Sequence, residues 1–147
     1  MPAPPRTDQA QQGQDQRKGT TYTDKGDGAL SGNITRDPEL RFTPAGKPVV
    51  VLRLAESVRI KDEQSGEWKD GPPEYYDVTA WGKQAENATE CLRKGDRIAV
   101  VGTWQQQEWT GTDNASHSKM VLVARDIGPS LLFREATVNR QDAKRGS

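Results

Sequence analysis

Two short stretches combine flat aromatic rings with hydrogen-bonding side chains. In "GTWQQQEWTG", residues 102–111, two tryptophans stand five residues apart around three glutamines and a glutamate. Read as a strand, this segment puts Trp104, Gln106 and Glu108 on one face and Gln105, Gln107 and Trp109 on the other. In "EYYDVTAW", residues 74–81, Tyr76, Val78 and Ala80 alternate with Tyr75, Asp77, Thr79 and Trp81. The second set mixes two aromatics with polar groups, unlike a sealed core. Periodicity alone leaves Tyr75 and Trp81 open between core packing and a stacking surface. Bond-making chemistry finds less support. No strand-to-helix turn carries a nucleophilic serine, no phosphate-cradling glycine loop is present, and the acidic residues are scattered. The nearest approach to clustered acids, "DEQSGE", is explained equally well by a hairpin loop.

The elements that must position these rings are short and mostly extended. The chain has 147 residues, 32% of them hydrophobic, and a mean hydropathy of -0.91. That suits one domain with polar ends. Residues 1–28 hold too few apolar side chains to offset the entropy of ordering them, and predict a flexible arm. "RQDAKRGS" predicts a disordered end over residues 141–147, leaving 29–140 as the folded domain.

Within that domain, "VVVLRLA" predicts a strand with Val50, Leu52 and Leu54 on its apolar face, followed by "EYYDVTAW". A short helix fits "KQAENATECLRKGD", with Ala85, Ala88 and Leu92 at helical spacing and Gly95 as its stop. "RIAVVG" leads into the tryptophan segment, "TGTDNASHSK" predicts a long hairpin loop, and "MVLVARDIG" closes the series. An all-β chain with one short helix between the third and fourth of five strands is the order of an OB-fold barrel.

Lys+Arg and Asp+Glu each number 21, so no overall positive field advertises a nucleic-acid partner, and any such partner needs a local groove. One cysteine, Cys91, and one histidine, His117, exclude an internal disulfide and a Cys/His zinc cluster. Cys91 reads as a small buried helix residue and His117 as a surface loop residue. No apolar run is long enough for a membrane span or the centre of a signal peptide. A soluble, cytoplasmic protein is the resulting expectation.

"GNITRDPELRFTPAGKPVVVLRLA", "GEWKDGPPEYYDVTAWGKQAENATECLRKGDRIAVVG" and "DIGPSLLFREATVNR" together resemble the bacterial single-stranded DNA-binding protein family, closest to its actinobacterial branch. The resemblance spans about residues 32–140. It implies a homotetramer of OB folds that coats single-stranded DNA without sequence preference during replication, recombination and repair. It implies no enzyme activity, metal or cofactor. Every base has a π face, so aromatic platforms suit any sequence, while cations follow the phosphates.

The resemblance places stacking platforms at Tyr75, Trp81 and Trp109. A further tryptophan platform of the family falls on Ile60, which cannot stack, with Trp68 nearby as a partial substitute. Arg41, Lys83 and Lys94 match family positions near DNA, and Arg53 and Arg59 lie on or beside an outward strand face. Gln105 and Gln107 stand where the family commonly has basic residues, which predicts a shallower salt dependence. Trp104 replaces an inward aliphatic and belongs to the core. Phe42 is open between stacking and plugging the barrel.

Two departures bear on assembly. The strand before "GN" is apolar in the family, whereas "DKGDGALSGN" offers glycines with only Ala29 and Leu30 to bury, a weak first strand. "SLLFREATVNR" resembles the extension that clamps neighbouring subunits in the actinobacterial branch. The family's acidic, apolar C-terminal tip has no counterpart in "DAKRGS", so recruitment of replication and repair enzymes by that route is not expected. An accessory paralogue from a plasmid or phage fits this pattern. The competing readings are an oligomeric OB-fold interaction protein with weakened DNA affinity and, less favoured, a metal-dependent nuclease.

Overall fold

The computed structural model describes residues 19–140. Within the described residues, eight strands and one helix follow in the order β1 (Thr21–Ile34), β2 (Arg41–Phe42), β3 (Pro48–Glu56), β4 (Arg59–Lys61), β5 (Trp68–Asp70), β6 (Glu74–Trp81), α1 (Gly82–Cys91), β7 (Arg97–Thr110) and β8 (Ser116–Pro129). The main sheet has the order β1-β7-β8-β6-β3-β2, and a β1–β3 pairing closes its first five strands into a ring. Pairing is antiparallel except between β6 and β8, which run parallel from Asp77↔Val121 to Thr79↔Val123. The helix sits between the third and fourth strands of the ring, so the barrel is an OB fold.

The alternation in the sequence builds the interior. Val50, Leu52 and Leu54 from β3, Val78 and Ala80 from β6, Ile98 and Val100 from β7 and Leu122 from β8 are all buried. Each fully buried Leu, Ile or Val contributes about 1.5–3 kcal/mol, enough for this cluster to fix which face of every strand points inward. Ala85, Ala88 and Leu92 of the α1 region cover the same core.

β1 corrects one expectation. Instead of an arm extending to residue 28, a 14-residue strand starts at Thr21. It pairs with β7 from Thr21↔Glu108 to Asn33↔Arg97, so the glycine-rich segment is a long strand within the sheet, although most of its side chains are exposed. Its glycines serve close approach and bending. Gly26, at φ 98°, lies in the register shift between Asp24 and Asp27. Gly28 lies under the Trp104 indole, where a Cβ would collide with the ring. Leu30 and Ile34 supply the buried apolar groups. Residues 1–18 of the expected arm and the expected disordered end at 141–147 lie outside the described residues.

The loop predicted over "TGTDNASHSK" is also shorter than expected, because the β7–β8 hairpin zips up to Thr110↔Ser116. Gly111 N–H donates to the Ala115 carbonyl at 2.9 Å, and Asn114 takes a left-handed conformation at φ 66°. His117 therefore stands on a strand. β1, β7 and β8 thus continue past the barrel as a three-stranded ribbon.

Candidate nucleic-acid interface

Register alone assembles one continuous outward face. Arg41 of β2 lies opposite Val49, and Val49 opposite Trp81. The next rows hold Arg53↔Asp77 and Ala55↔Tyr75 on β3 and β6. Asp77 leads to Val121 on β8, Val121 to Gln105 on β7, and Gln105 to Asp24 on β1. Beyond these, Lys119↔Gln107↔Tyr22 and His117↔Trp109 carry the face onto the ribbon. Directly opposed residues in neighbouring strands, antiparallel or parallel, project from the same side, so Trp81, Tyr75, Trp109 and Tyr22 share a surface.

The aromatics differ in surroundings. Tyr75 is 51% exposed, and the Arg53 guanidinium sits 5.2 Å from its ring centroid. Trp81, half-buried, stands at the N-terminus of α1. Trp109 stacks against His117, with centroids 5.7 Å apart and an interplanar angle of 22°. His117 Nε2 in turn lies 3.2 Å from Asp113 Oδ1. Hydrogen bonds from the Ala115 amide and from His117 hold the Asp113 carboxyl below the usual carboxylate range. Phe42 is exposed at the edge strand rather than plugging the barrel. Trp104 behaves as expected of a core residue: it packs on the interior cluster with its ring 6.0 Å from that of Tyr76. Tyr76 donates to Glu74 at 2.8 Å, and that bond, burial and nearby carboxylates push its phenol pKa up.

The cations carry their own counter-charges. Arg41 pairs with Glu39 at 3.1 Å, Arg59 with Asp70 at 3.5 Å, and Lys83 with Glu86 at 3.6 Å. Such exposed pairs are worth about 0–1 kcal/mol, so a phosphate can displace the carboxylate. Asp77 is different, because its side chain is only 14% exposed. It accepts from Arg53 Nη1 at 3.1 Å and from Lys119 Nζ at 2.8 Å. Burial alone would raise the Asp77 pKa, but the hydrogen bonds and charges of Lys119 and Arg53 outweigh it and hold the carboxyl below its usual value.

Several expected site residues sit elsewhere. Gln105 is 7% exposed, and its amide oxygen accepts from Gln107 Nε2 at 3.4 Å. Flanked by Val121 and Asp24, it belongs to the packing of the sheet, and Gln107 is the amide left at the surface. Arg59 and Trp68 occupy the separate β4–β5 hairpin. Lys61↔Trp68 and Ile60↔Lys69 put Trp68 on the opposite side of that ribbon from Ile60, so it cannot replace Ile60 in place. Lys94 lies in the turn after α1, where its backbone N–H donates to Asp37 at 2.7 Å. Cys91 is exposed, not buried, because it falls about 100° of helical turn from Leu92, off the Ala85–Ala88–Leu92 stripe.

Three residues of the face escape a sequence reading: Tyr22, Asp77 as a charge partner, and Lys119. The β-type triplet "TYT" within a polar stretch was the available signal for Tyr22. Lys119 became assignable only once the hairpin loop proved short. Among the described residues, no group of three or more His, Cys, Asp or Glu is arranged to hold a metal, and no helix is long and apolar enough to cross a membrane.

Comparison with known proteins places this geometry. Residues 27–130 match the model of the Single-strand binding protein family. The single-stranded DNA-binding protein of Mycolicibacterium smegmatis is 39% identical over 109 residues, covering 74% of this chain and 66% of the relative. That of Mycobacterium leprae is 39% identical over 117 residues, covering 80% and 70%. That of Corynebacterium glutamicum is 39% identical over 109 residues, covering 74% and 48%. The chain thus spans about two thirds of the length of the mycobacterial relatives and about half of the corynebacterial one. Among solved structures, the small single-stranded DNA-binding protein from Streptomyces coelicolor superposes with a TM-score of 0.59 at 28% identity, covering 71% of this chain and 94% of that one. A deletion mutant of the single-stranded DNA binding protein from Thermus aquaticus gives 0.63 at 30% identity, covering 75% and 52%.

Proposed function

This chain belongs to the single-strand binding protein family, in its actinobacterial branch, and from that premise we propose that it binds single-stranded DNA without sequence preference. The observation that carries the reading is the outward face in which Tyr75, Trp81, Trp109 and Tyr22 stand on three strands, β6, β7 and β1, with cations between them. Stacking on such rings is worth roughly 1–3 kcal/mol per base and tolerates any base. Bases stack on these four residues; Arg41, Arg53, Lys83 and Lys119 follow the phosphates, and Gln107 hydrogen-bonds to them. Trp68, Arg59 and Lys94 extend the path beyond this face. The role is to coat and protect DNA exposed in replication, recombination and repair, without catalysis and as a homotetramer. The DNA-binding domain covers residues 21–140.

A second reading, an OB-fold interaction protein with weakened DNA affinity, draws on the pairing of Arg53 and Lys119 with Asp77. One experiment separates the readings: titrate the chain with oligo(dT) in low salt with magnesium present, following tryptophan fluorescence and the length of the labelled DNA. Quenching with intact DNA supports binding, an unchanged signal supports the second reading, and shortened DNA supports a nuclease. Mass determination in parallel tests the tetramer.

A further inference from the structure

Asp77 stands in the middle of the proposed DNA face, where a carboxylate is the wrong charge for a phosphate backbone. It is not a loosely held surface acid. Val121, its partner on β8, and Gln105, the next residue across on β7, are both buried, so the carboxylate lies over packed sheet. Its two oxygens are used separately, Oδ1 by Arg53 from β3 and Oδ2 by Lys119 from β8. The strands they join include β6 and β8, whose three-residue parallel pairing is the parallel seam of the barrel. Arg53 is also fixed by the Tyr75 ring on the same strand as Asp77. A carboxylate held at this depth by two donors is not exchanged for phosphate as Glu39, Asp70 or Glu86 can be, because withdrawing either cation strands a poorly solvated charge.

We propose that Asp77 is a positioning residue that sets the salt dependence of this face: it holds Arg53 and Lys119 in a charge-compensated triad, so that the two cations together offer phosphate the strength of one. The proposal rests on the single-stranded DNA-binding reading above. Its physical content is a count. Each phosphate neutralised by a free cation on single-stranded DNA contributes roughly 0.7 to the slope of log K against log salt. Two independent cations would contribute roughly 1.4, and the triad contributes about half of that.

The test is the salt dependence of oligo(dT) binding by the wild type, by Asp77→Asn, and by the triple variant Arg53→Gln/Lys119→Gln/Asp77→Asn, with folding checked by circular dichroism. Asp77→Asn keeps the side-chain shape and one acceptor, and is expected to steepen the slope by roughly 0.7 and raise affinity in low salt. The triple variant leaves no buried charge in the triad, and is expected to flatten the wild-type slope by roughly 0.7. It keeps the proposal testable where the single variant does not fold. An unchanged slope in Asp77→Asn, or a flattening of roughly 1.4 in the triple variant, overturns the proposal, since both show that Arg53 and Lys119 already act in full. Failure of both the wild type and Asp77→Asn to bind oligo(dT) overturns the DNA-binding reading itself.

Discussion

The barrel end and the ribbon end of the outward face hold similar aromatics in unlike company. On the barrel, Tyr75 lies under Arg53 and Trp81 shares a row with Arg41. On the ribbon, Trp109 is backed by His117, and the residues two and four positions before it on the same side are amides. Rings are therefore offered along the whole face, whereas its cations lie mostly on the barrel, with Lys119 on the ribbon. Separating the two is physically possible because stacking needs a flat ring of any origin, while counterion release needs a full charge.

The comparison can be broken most severely through its rings. Trp81→Ala and Trp109→Ala are each expected to weaken oligo(dT) binding by roughly 1–3 kcal/mol, by about the same amount at either end. Equilibrium titration checks this, and a loss confined to the barrel variant would show that the ribbon does not stack. The joint between the two ends is tested by Gly28→Ala, whose new Cβ must displace the Trp104 indole. Overpacking of this kind costs about 1–3 kcal/mol of stability, read as a shift in the urea midpoint.

A smaller change sharpens the contrast in charge. Gln107→Lys is expected to steepen the salt slope by roughly 0.7, adding a second cation to the ribbon beside Lys119. The same substitution at Gln105 is expected to destabilise the fold, because the new charge would be buried. The smallest expected effect is on acid stability. The Asp77 carboxyl is lowered in the folded state, so the folded chain binds fewer protons than the unfolded one in the window below the usual aspartate value of about 3.9. Stability from Asp77 is thus complete above that value and lost as pH falls through the folded pKa. Asp77→Asn should flatten that acid limb in urea titrations from pH 5 downward.

Alternation made the core legible: Val50, Leu52, Leu54, Val78 and Ala80 were assignable because burial follows a period of two. The proposed platforms Tyr75, Trp81 and Trp109 come from resemblance alone; the family match supports the fold that carries them. The start of β1 was misjudged because its glycines and charges read as an arm, and the contact that uses one of them, Trp104 over Gly28, joins residues far apart in sequence. Gln105 was misjudged because strand parity reports the face of a residue but not how deeply its neighbours cover it. Ion pairing was hidden for the same reason. Nothing local in "YYDV" or "HSKM" brings Asp77 to Lys119 across the parallel seam.

The most direct measurement is the slope of log K against log salt for oligo(dT) binding by the unmodified chain, followed by tryptophan quenching. If Arg41, Arg53, Arg59, Lys83, Lys94 and Lys119 all released counterions in full, the slope would be steeper than about 4 in magnitude for each subunit engaged. The charge-compensated face predicts clear quenching with a slope no steeper than about 3.5 per engaged subunit. Absence of quenching and binding in low salt, or a slope steeper than about 4 per engaged subunit, would contradict it.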